Sequence, residues 1–242
     1  MKNENRHEAK VIKIAELTAD IKHFWLQVQD GNSFDFKAGQ FVTLDLPIGE
    51  HPKDRLRSYS IASSPNGNYV FELVIMHLKG GRASEYLFNE IIEGDLINFK
   101  GPHGKFLLPE KIESDICFVC TGTGITPFRS MLQHLEKTNQ QHKNIFLFFG
   151  TRFMKDVLFR EEMEQLQKAF PHFNYRFVLS KEESAEYKGA KGHIHQLYEN
   201  EFADKRPADF YLCGWRGMID EAKIRLKTMD YSSKNIHQEI YD

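Results

Sequence analysis

The chain has 242 residues, of which 41% are hydrophobic and 27% charged, a composition typical of a globular protein with one large or two modest domains. Its formal net charge of −2 gives no support to nucleic acid or an anionic membrane as a partner. We find no apolar run as long as a membrane span, and the charged first ten residues lack the apolar core of a signal peptide.

The first 110 residues contain short apolar segments separated by turn residues. Residues 21–28 alternate apolar and polar side chains, as a half-buried strand does. The predicted elements are strands at 11–14, 21–28, 41–46, 57–63, 69–78 and 96–100, with one short helix at 83–90. Many short strands with a single helix predict an antiparallel β-barrel domain over residues 1–110.

The pattern changes over residues 111–242, where apolar strands alternate with amphipathic helices. The predicted strands cover 116–119, 145–149, 175–179 and 209–213, and the predicted helices cover 127–137, 159–170, 193–201 and 218–229. This alternation predicts an α/β domain with a parallel sheet.

A glycine turn separates the first of these strands from its helix. Gly122 and Gly124 follow the strand, and Pro127 stands where a helix can begin. A strand, a glycine turn and a helix N-terminus together suit a phosphate, and threonine hydroxyls add donors. The turn is neither a G-x-G-x-x-G nor a P-loop sequence, so an ordinary strand-to-helix turn is the alternative.

The cysteines argue against a metal centre. Cys117 and Cys120 form a C-x-x-C inside a predicted strand, where they would point to opposite faces. With Cys213 they make three scattered thiols, which are too few for a four-thiolate cluster and give no disulfide framework. We therefore predict no metal site and a reducing compartment, the cytoplasm.

Several motifs occur in one order along the chain. They are Gly39 to Val42, Arg57 to Ser63, Gly80 to Ser84, Gly101 to Phe106, Thr121 to Pro127, Phe149 to Arg152, Leu212 to Gly214 and Glu239 to Tyr241. Together they resemble the ferredoxin–NADP reductase-type flavoproteins. Gly101 to Phe106 resembles the segment that closes the flavin domain in that family, and Glu239-Ile240-Tyr241 resembles the E-x-Y end of its plant-type members.

This resemblance implies a reductase with FAD in the first domain and NADPH or NADH in the second. Electrons would pass to a separate acceptor, which would be ferredoxin, flavodoxin or an oxygenase component. The alternatives are an electron-transfer or regulatory subunit of a larger complex, and a free-flavin or ferric reductase.

The resemblance also implies residues for the FAD site. Arg57 would bind the diphosphate, Tyr59 would lie beside the flavin ring, and Ser60 would hydrogen-bond near flavin N5. Ser84 would both cap the short helix and hold the pyrophosphate. The further residues implied are Ser58, Val74, Met76, Gly81, Arg82 and Ala83. A solvated arginine, a core tyrosine and a plain strand serine are the simpler interpretations of the first three.

Near the C-terminus, three residues would complete the reaction site. Cys213 would lie against the nicotinamide, Tyr241 would be a displaceable lid over the flavin, and Glu239 would deliver a proton towards Ser60. A structural cysteine, a surface carboxylate and a core aromatic are the alternatives. Asp242 extends the chain beyond the tyrosine of the E-x-Y pattern.

The remaining implied residues concern the pyridine nucleotide. The dinucleotide would contact Thr123, Gly124, Thr126, Pro127, Arg152, Cys213 and Gly214. Ser180, Lys181 and Lys191 stand where family members hold a 2′-phosphate, which favours NADPH over NADH. Lysine supplies charge without the bidentate fork of arginine, and an ordinary solvated loop is the alternative.

Overall fold

The computed structural model describes residues 6–29, 31 and 34–241. These residues form two compact units. The first contains the described residues up to Leu108 together with Thr126–Thr138, and the second contains Pro109–Ile125 and the described residues from Asn139 onwards. Within this range, no helix has the length and apolar character needed to cross a membrane.

An antiparallel sheet forms the first unit, as predicted. In the described residues it has six strands in the order β4-β3-β6-β1-β2-β5. The strands are β1 (Arg6–Thr18), β2 (Ile21–Val28), β3 (Phe41–Asp45), β4 (Leu56–Ser60), β5 (Val70–Met76) and β6 (Leu96–His103), and the helices of this unit are α1 (Pro52–Arg55), α2 (Arg82–Asn89) and α3 (Thr126–Thr138).

The two outer strands of this sheet meet, and their meeting closes a barrel. Ile61, just beyond β4, forms an antiparallel bridge with Leu73 in β5. The amide of Ala62 also donates to the carbonyl of Glu72 at 2.8 Å. Aromatic side chains with 0–1% exposure fill the interior, among them Phe24, Phe71 and Phe99. Each such ring contributes about 2–3 kcal/mol of burial free energy. The predicted barrel is thus confirmed.

A parallel sheet forms the second unit, again as predicted. Over the described residues its strand order is β10-β9-β8-β7-β11-β12. The strands are β7 (Asp115–Thr121), β8 (Ile145–Thr151), β9 (Phe173–Leu179), β10 (Ala190–Lys191), β11 (Ala208–Trp215) and β12 (Ile236–Tyr241), and the helices are α4 (Arg160–Ala169), α5 (His195–Glu201) and α6 (Arg216–Thr228).

The order of these strands locates a crevice at the carboxyl edge of the sheet. The chain runs outwards from β7 through β8, β9 and β10, and then returns to β11 on the other side of β7. Parallel α/β sheets bind ligands at such a reversal, beyond the carboxyl ends of the strands. The residues that follow β7 and β11 are therefore the first to consider as a nucleotide site.

Candidate functional site

Strand β4 carries four of the residues implied for FAD binding. Ser58 is exposed, and its hydroxyl lies 3.0 Å from that of Thr43 on β3. Ser60 is only 5% exposed. Tyr59 packs against the barrel core, and burial raises its pKa to about 12 although the charge of Arg57 opposes this shift. The Tyr59 hydroxyl is therefore a neutral hydrogen-bond donor at physiological pH.

The guanidinium group of Arg57 is anchored by backbone rather than freely solvated. Its Nη1 donates to the carbonyl of Leu56 at 2.8 Å and to that of Lys53, in α1, at 3.1 Å. Both acceptors are neutral carbonyl oxygens, so these contacts do not neutralise the positive charge of Arg57. A fixed guanidinium with its charge intact suits a diphosphate.

The barrel closure brings the end of β4 beside β5. Because Ile61 pairs with Leu73, Ser60 and Val74 come together where the two strands meet. Val74 is 4% exposed but lies outside the core cluster of the barrel, on the strand face opposite Leu73 and Ile75. Met76 lies two residues further along β5 and is 50% exposed, which leaves its side chain available to a ligand.

Helix α2 begins differently from our prediction for Ser84. Gly81 is the N-cap, and Ser84 is the third residue of the helix. The Ser84 hydroxyl accepts from the amide of Leu78 at 2.9 Å and lies 3.0 Å from the carbonyl of Gly81. The prediction that Ser84 caps the helix is therefore wrong. Its hydroxyl instead connects the turn at Leu78 to the N-cap residue Gly81.

The start of α2 nevertheless has the donors that a phosphate requires. The amides of Arg82, Ala83 and Ser84 lie in the first turn, whose N–H groups have no acceptor within the helix. The guanidinium group of Arg82 forms an ion pair with Asp54 of α1 at 3.0 Å. The free amides at the start of this helix are donors that fit the pyrophosphate of FAD.

In the second unit, two glycines pack the turn after β7 against β11. A Cβ on Gly124 would lie 2.4 Å from the carbonyl oxygen of Cys213. A Cβ on Gly214, whose φ is +133°, would lie 2.5 Å from Oγ1 of Thr121. Gly122, in contrast, has a φ of +54° and open space around its missing Cβ. Gly122 therefore marks the part of the turn that a phosphate can approach.

The predicted threonine donors of this turn are largely buried. Thr123 is 9% and Thr126 1% exposed. Helix α3 begins at Thr126, with Pro127 in its first turn, one residue before the predicted start. Buried hydroxyls fix the turn more readily than they reach a solvent-borne ligand.

Cys213 lies inside the carboxyl edge between two strands. It is fully buried, and the strand register places it opposite Cys120 on β7 and opposite Glu239 on β12. Burial raises the pKa of the Cys213 thiol well above its usual value, and the Glu239 carboxylate raises it further, whereas a hydrogen bond with Tyr241 opposes the shift. The structure thus brings Cys213, Glu239 and Tyr241 together. Asp242 lies outside the described residues.

Four polar residues assemble on the other side of the crevice. The amide of Ser180 donates to the carbonyl of Thr151, and that of Lys181 to the carbonyl of Arg152, at 2.9 and 3.0 Å. Lys191 follows on β10, where it pairs with Leu179. Arg152, Ser180, Lys181 and Lys191 are all exposed at this edge.

Two further residues at the carboxyl ends of the strands, one after β9 and one at the end of β11, were not among those predicted. Glu182 accepts from the amides of Met154 and Ser184, each at 3.0 Å, and these hydrogen bonds lower its pKa, so a carboxylate stands among the cations. Trp215 follows Gly214 and is 72% exposed. Its position directly after the Cys213-Gly214 pair was the signal that could have identified it.

Comparisons of the whole sequence match two family models to successive parts of the chain, and the second match includes α3, which packs with the first unit. The oxidoreductase FAD-binding domain matches residues 8–107, and the oxidoreductase NAD-binding domain matches residues 118–223. Ferredoxin–NADP reductase B of Sorangium cellulosum (strain So ce56) is 32% identical over 243 residues, which cover 97% of each chain. The phenol hydroxylase P5 protein of Acinetobacter pittii (strain PHEA-2) is 30% identical over 96% of this chain, which spans 65% of that relative.

Solved structures share the fold. The cytochrome P450 reductase GcoB of Amycolatopsis superposes with a TM-score of 0.86 and 24% identity, covering 98% of this chain and 69% of that one. A ferredoxin NADP+ reductase from Neisseria gonorrhoeae, with bound FAD and NADP, gives a TM-score of 0.81 and 24% identity over 97% and 98% of the two chains.

Proposed function

The chain belongs to the ferredoxin–NADP reductase-type flavoproteins and is an oxidoreductase that uses FAD and NAD(P)H, and from this premise we propose that it passes electrons to a separate carrier. The carrier is ferredoxin, flavodoxin or an oxygenase component. The observation that carries this proposal is the match to a ferredoxin–NADP reductase along 97% of both chains. Three cysteines are too few for a four-thiolate cluster, which supports a separate carrier.

The proposed FAD domain spans residues 1–110. Bound FAD supplies the conversion between two-electron hydride chemistry and one-electron transfer. Arg57 and the first amides of α2 would hold the diphosphate, Tyr59 would lie beside the ring, and Ser60 would hydrogen-bond near N5. Val74 and Met76 would contact the ring from β5.

The proposed NAD(P) domain spans residues 111–242. The glycine turn and Gly214 receive the dinucleotide, and Cys213 positions the nicotinamide as a neutral thiol, because burial keeps it protonated. Glu239 is the proposed proton donor and Tyr241 the proposed lid. We propose NADPH as the preferred nucleotide, since three cations lie at the edge formed by β8, β9 and β10.

One experiment tests this function. The purified protein should show flavin absorption bands, and these should bleach when it is mixed anaerobically with NADPH, more slowly with NADH. Reduced protein should then reoxidise on addition of ferredoxin or flavodoxin at a rate that depends on carrier concentration. A colourless protein that reduces added flavin would instead favour the free-flavin reductase. Tight FAD without any response to NAD(P)H would favour the regulatory subunit.

A further inference from the structure

Helix α3 supplies hydrogen bonds that the barrel cannot provide for itself. After the bridge at Ile61 the chain leaves the sheet, and backbone groups of the next residues need other partners. The Ser130 hydroxyl donates to the carbonyl of Ser63 at 2.6 Å, and Gln133 accepts from the amide of Ser64 at 3.0 Å. Arg129 donates to the carbonyl of Ala62 at 3.0 Å.

Arg129 is the centre of this arrangement. It is 8% exposed, and its Nη1 also lies 2.7 Å from Oε2 of Glu72 on β5. The same carboxylate oxygen is 2.9 Å from Nε2 of His23, which is 2% exposed. Burial by itself raises the pKa of Glu72, but His23 and Arg129 outweigh it and lower the pKa to about 2. Arg129 and Glu72 therefore form a charged pair that is shielded from solvent.

The two groups that Arg129 holds lie on the two strands of the flavin junction. Ala62 is two residues after Ser60, and Glu72 is two residues before Val74. The backbones of Ala62 and Glu72 are themselves hydrogen-bonded at 2.8 Å. Arg129 thus adds a side-chain link between two segments that the backbone also joins and that present Ser60 and Val74.

We propose that Arg129 is a positioning residue, which holds Ala62 against Glu72 and so sets the backbone of Ser60 and Val74 at the reacting part of the flavin. The proposal rests on the proposed function. Arg129 acts through the backbone that it holds. Errors of about 1 Å in such a site cost on the order of 100-fold in rate, so a small relaxation of this junction is measurable.

The experiment compares four variants of the full chain with wild type. Arg129→Met removes both contacts, Arg129→Lys keeps the charge beside Glu72, and Ser130→Ala removes only the contact to Ser63. Lys137→Met is the control, because Lys137 lies on the same helix but is exposed and donates to the side-chain hydroxyl of Ser64 rather than to its backbone. The readouts are visible circular dichroism of bound flavin, the limiting rate of flavin reduction, the apparent Kd for NADPH, and amide exchange at residues 60–64 in the FAD-free protein.

Arg129→Met should lower the limiting rate at least about 10-fold with the Kd for NADPH within about 3-fold, change the visible circular dichroism, and raise exchange at residues 60–64. Arg129→Lys should recover part of each loss, and Lys137→Met should match wild type.

If Arg129→Met does not fold, Ser130→Ala should show smaller changes in the same directions. Folded variants with wild-type dichroism, exchange and rate would overturn the proposal. Wild-type protein without flavin reduction would refute the proposed function itself, a separate result.

Discussion

The side chain of Tyr241 lies close enough to the buried thiol of Cys213 to oppose the rise in the pKa of that thiol. The two residues lie near the carboxyl ends of adjacent parallel strands, where Trp215 pairs with Tyr241 and Cys213 with Glu239. Since burial and the Glu239 carboxylate both raise the pKa of the thiol, Cys213 is neutral at physiological pH. It can pack against a ring and hydrogen-bond, but it is not a nucleophile.

Replacing Cys213 by serine should slow flavin reduction by NADPH about 10-fold, a loss of about 1.4 kcal/mol in transition-state stabilisation, with FAD still bound. The serine side chain would no longer fill the proposed contact with the nicotinamide. Anaerobic stopped-flow mixing measures the rate. Cys117→Ser, which makes the same change deep in β7, is the control and should leave the rate per bound flavin unaltered. A normal rate in Cys213→Ser would make Cys213 a purely structural residue.

Replacing Tyr241 by serine should increase use of NADH relative to NADPH, because the proposed lid would no longer have to be displaced. The measurement is the ratio of kcat/KM for the two nucleotides, expected to shift about 10-fold towards NADH. Tyr241→Phe keeps the ring and removes only the hydroxyl group, so it should stay near wild type. An unchanged ratio in Tyr241→Ser would reject the lid.

Lowering the pH should reduce the free energy of unfolding, because Glu72 becomes protonated. Its pKa is about 2 in the fold against an ordinary value of 4.5, so its stabilising contribution is present above pH 4.5 and disappears as pH falls towards 2. The contribution is at most about 3 kcal/mol. Urea unfolding between pH 6 and pH 3 should give a shallower pH dependence for Glu72→Gln than for wild type. Glu136→Gln, an exposed change on α3, should keep the wild-type slope, and equal slopes in all three proteins would contradict the assignment.

Replacing Gly124 by alanine should disturb the turn between β7 and α3, where we propose that the dinucleotide binds. Its Cβ would be 2.4 Å from a backbone oxygen, so the turn has to move, at a cost of about 1–3 kcal/mol. We expect a lower Tm and weaker NADPH binding with FAD retained, measured by thermal unfolding and by titration. Gly217→Ala is the matched control, since open space surrounds Gly217 in α6 and alanine favours a helix by about 1 kcal/mol. A Gly124→Ala variant as stable as wild type would contradict this prediction, because it would show that the turn accommodates the added Cβ without loss of stability.

Nucleotide preference should respond to the balance of charge after β9. Lys181→Arg adds a bidentate donor, and Glu182→Gln removes a negative charge held beside the lysines by two backbone amides. Each change should raise the kcat/KM ratio for NADPH over NADH several-fold, about 1 kcal/mol. Lys188→Gln, on the same exposed loop, should have little effect. If neither main variant alters the ratio, the 2′-phosphate is not bound here.

The sequence identified both sheets because hydrophobic periodicity reports burial directly. Residues 116–119 and 145–149 are buried without interruption, as strands of a covered parallel sheet are, and both were predicted. Strand β12 was not among the predicted elements. Its residues are mostly half-buried, so it lacks both the continuous apolar run and the clear alternation that identify a strand.

Residue roles that depend on distant neighbours were harder to predict. Ser84 near a helix start resembles a cap, and only the fold shows its hydroxyl bonded to Leu78. Gly124 looks like a phosphate-binding glycine, whereas the carbonyl that requires its missing Cβ belongs to Cys213, 89 residues later. Local patterns cannot specify such partners, because the partners become adjacent only through the sheet order.

The membership of α3 in the first unit bears on how the two halves of this chain could be exchanged with those of relatives. A fragment that ends at residue 110 would keep Glu72 and His23 but lose Arg129, and the carbonyls of Ala62 and Ser63 would lose their side-chain donors. A chimera that joins this barrel to a foreign nucleotide half must therefore import matching residues at the positions of Arg129, Ser130 and Gln133. The smallest interchangeable flavin module is discontinuous in sequence.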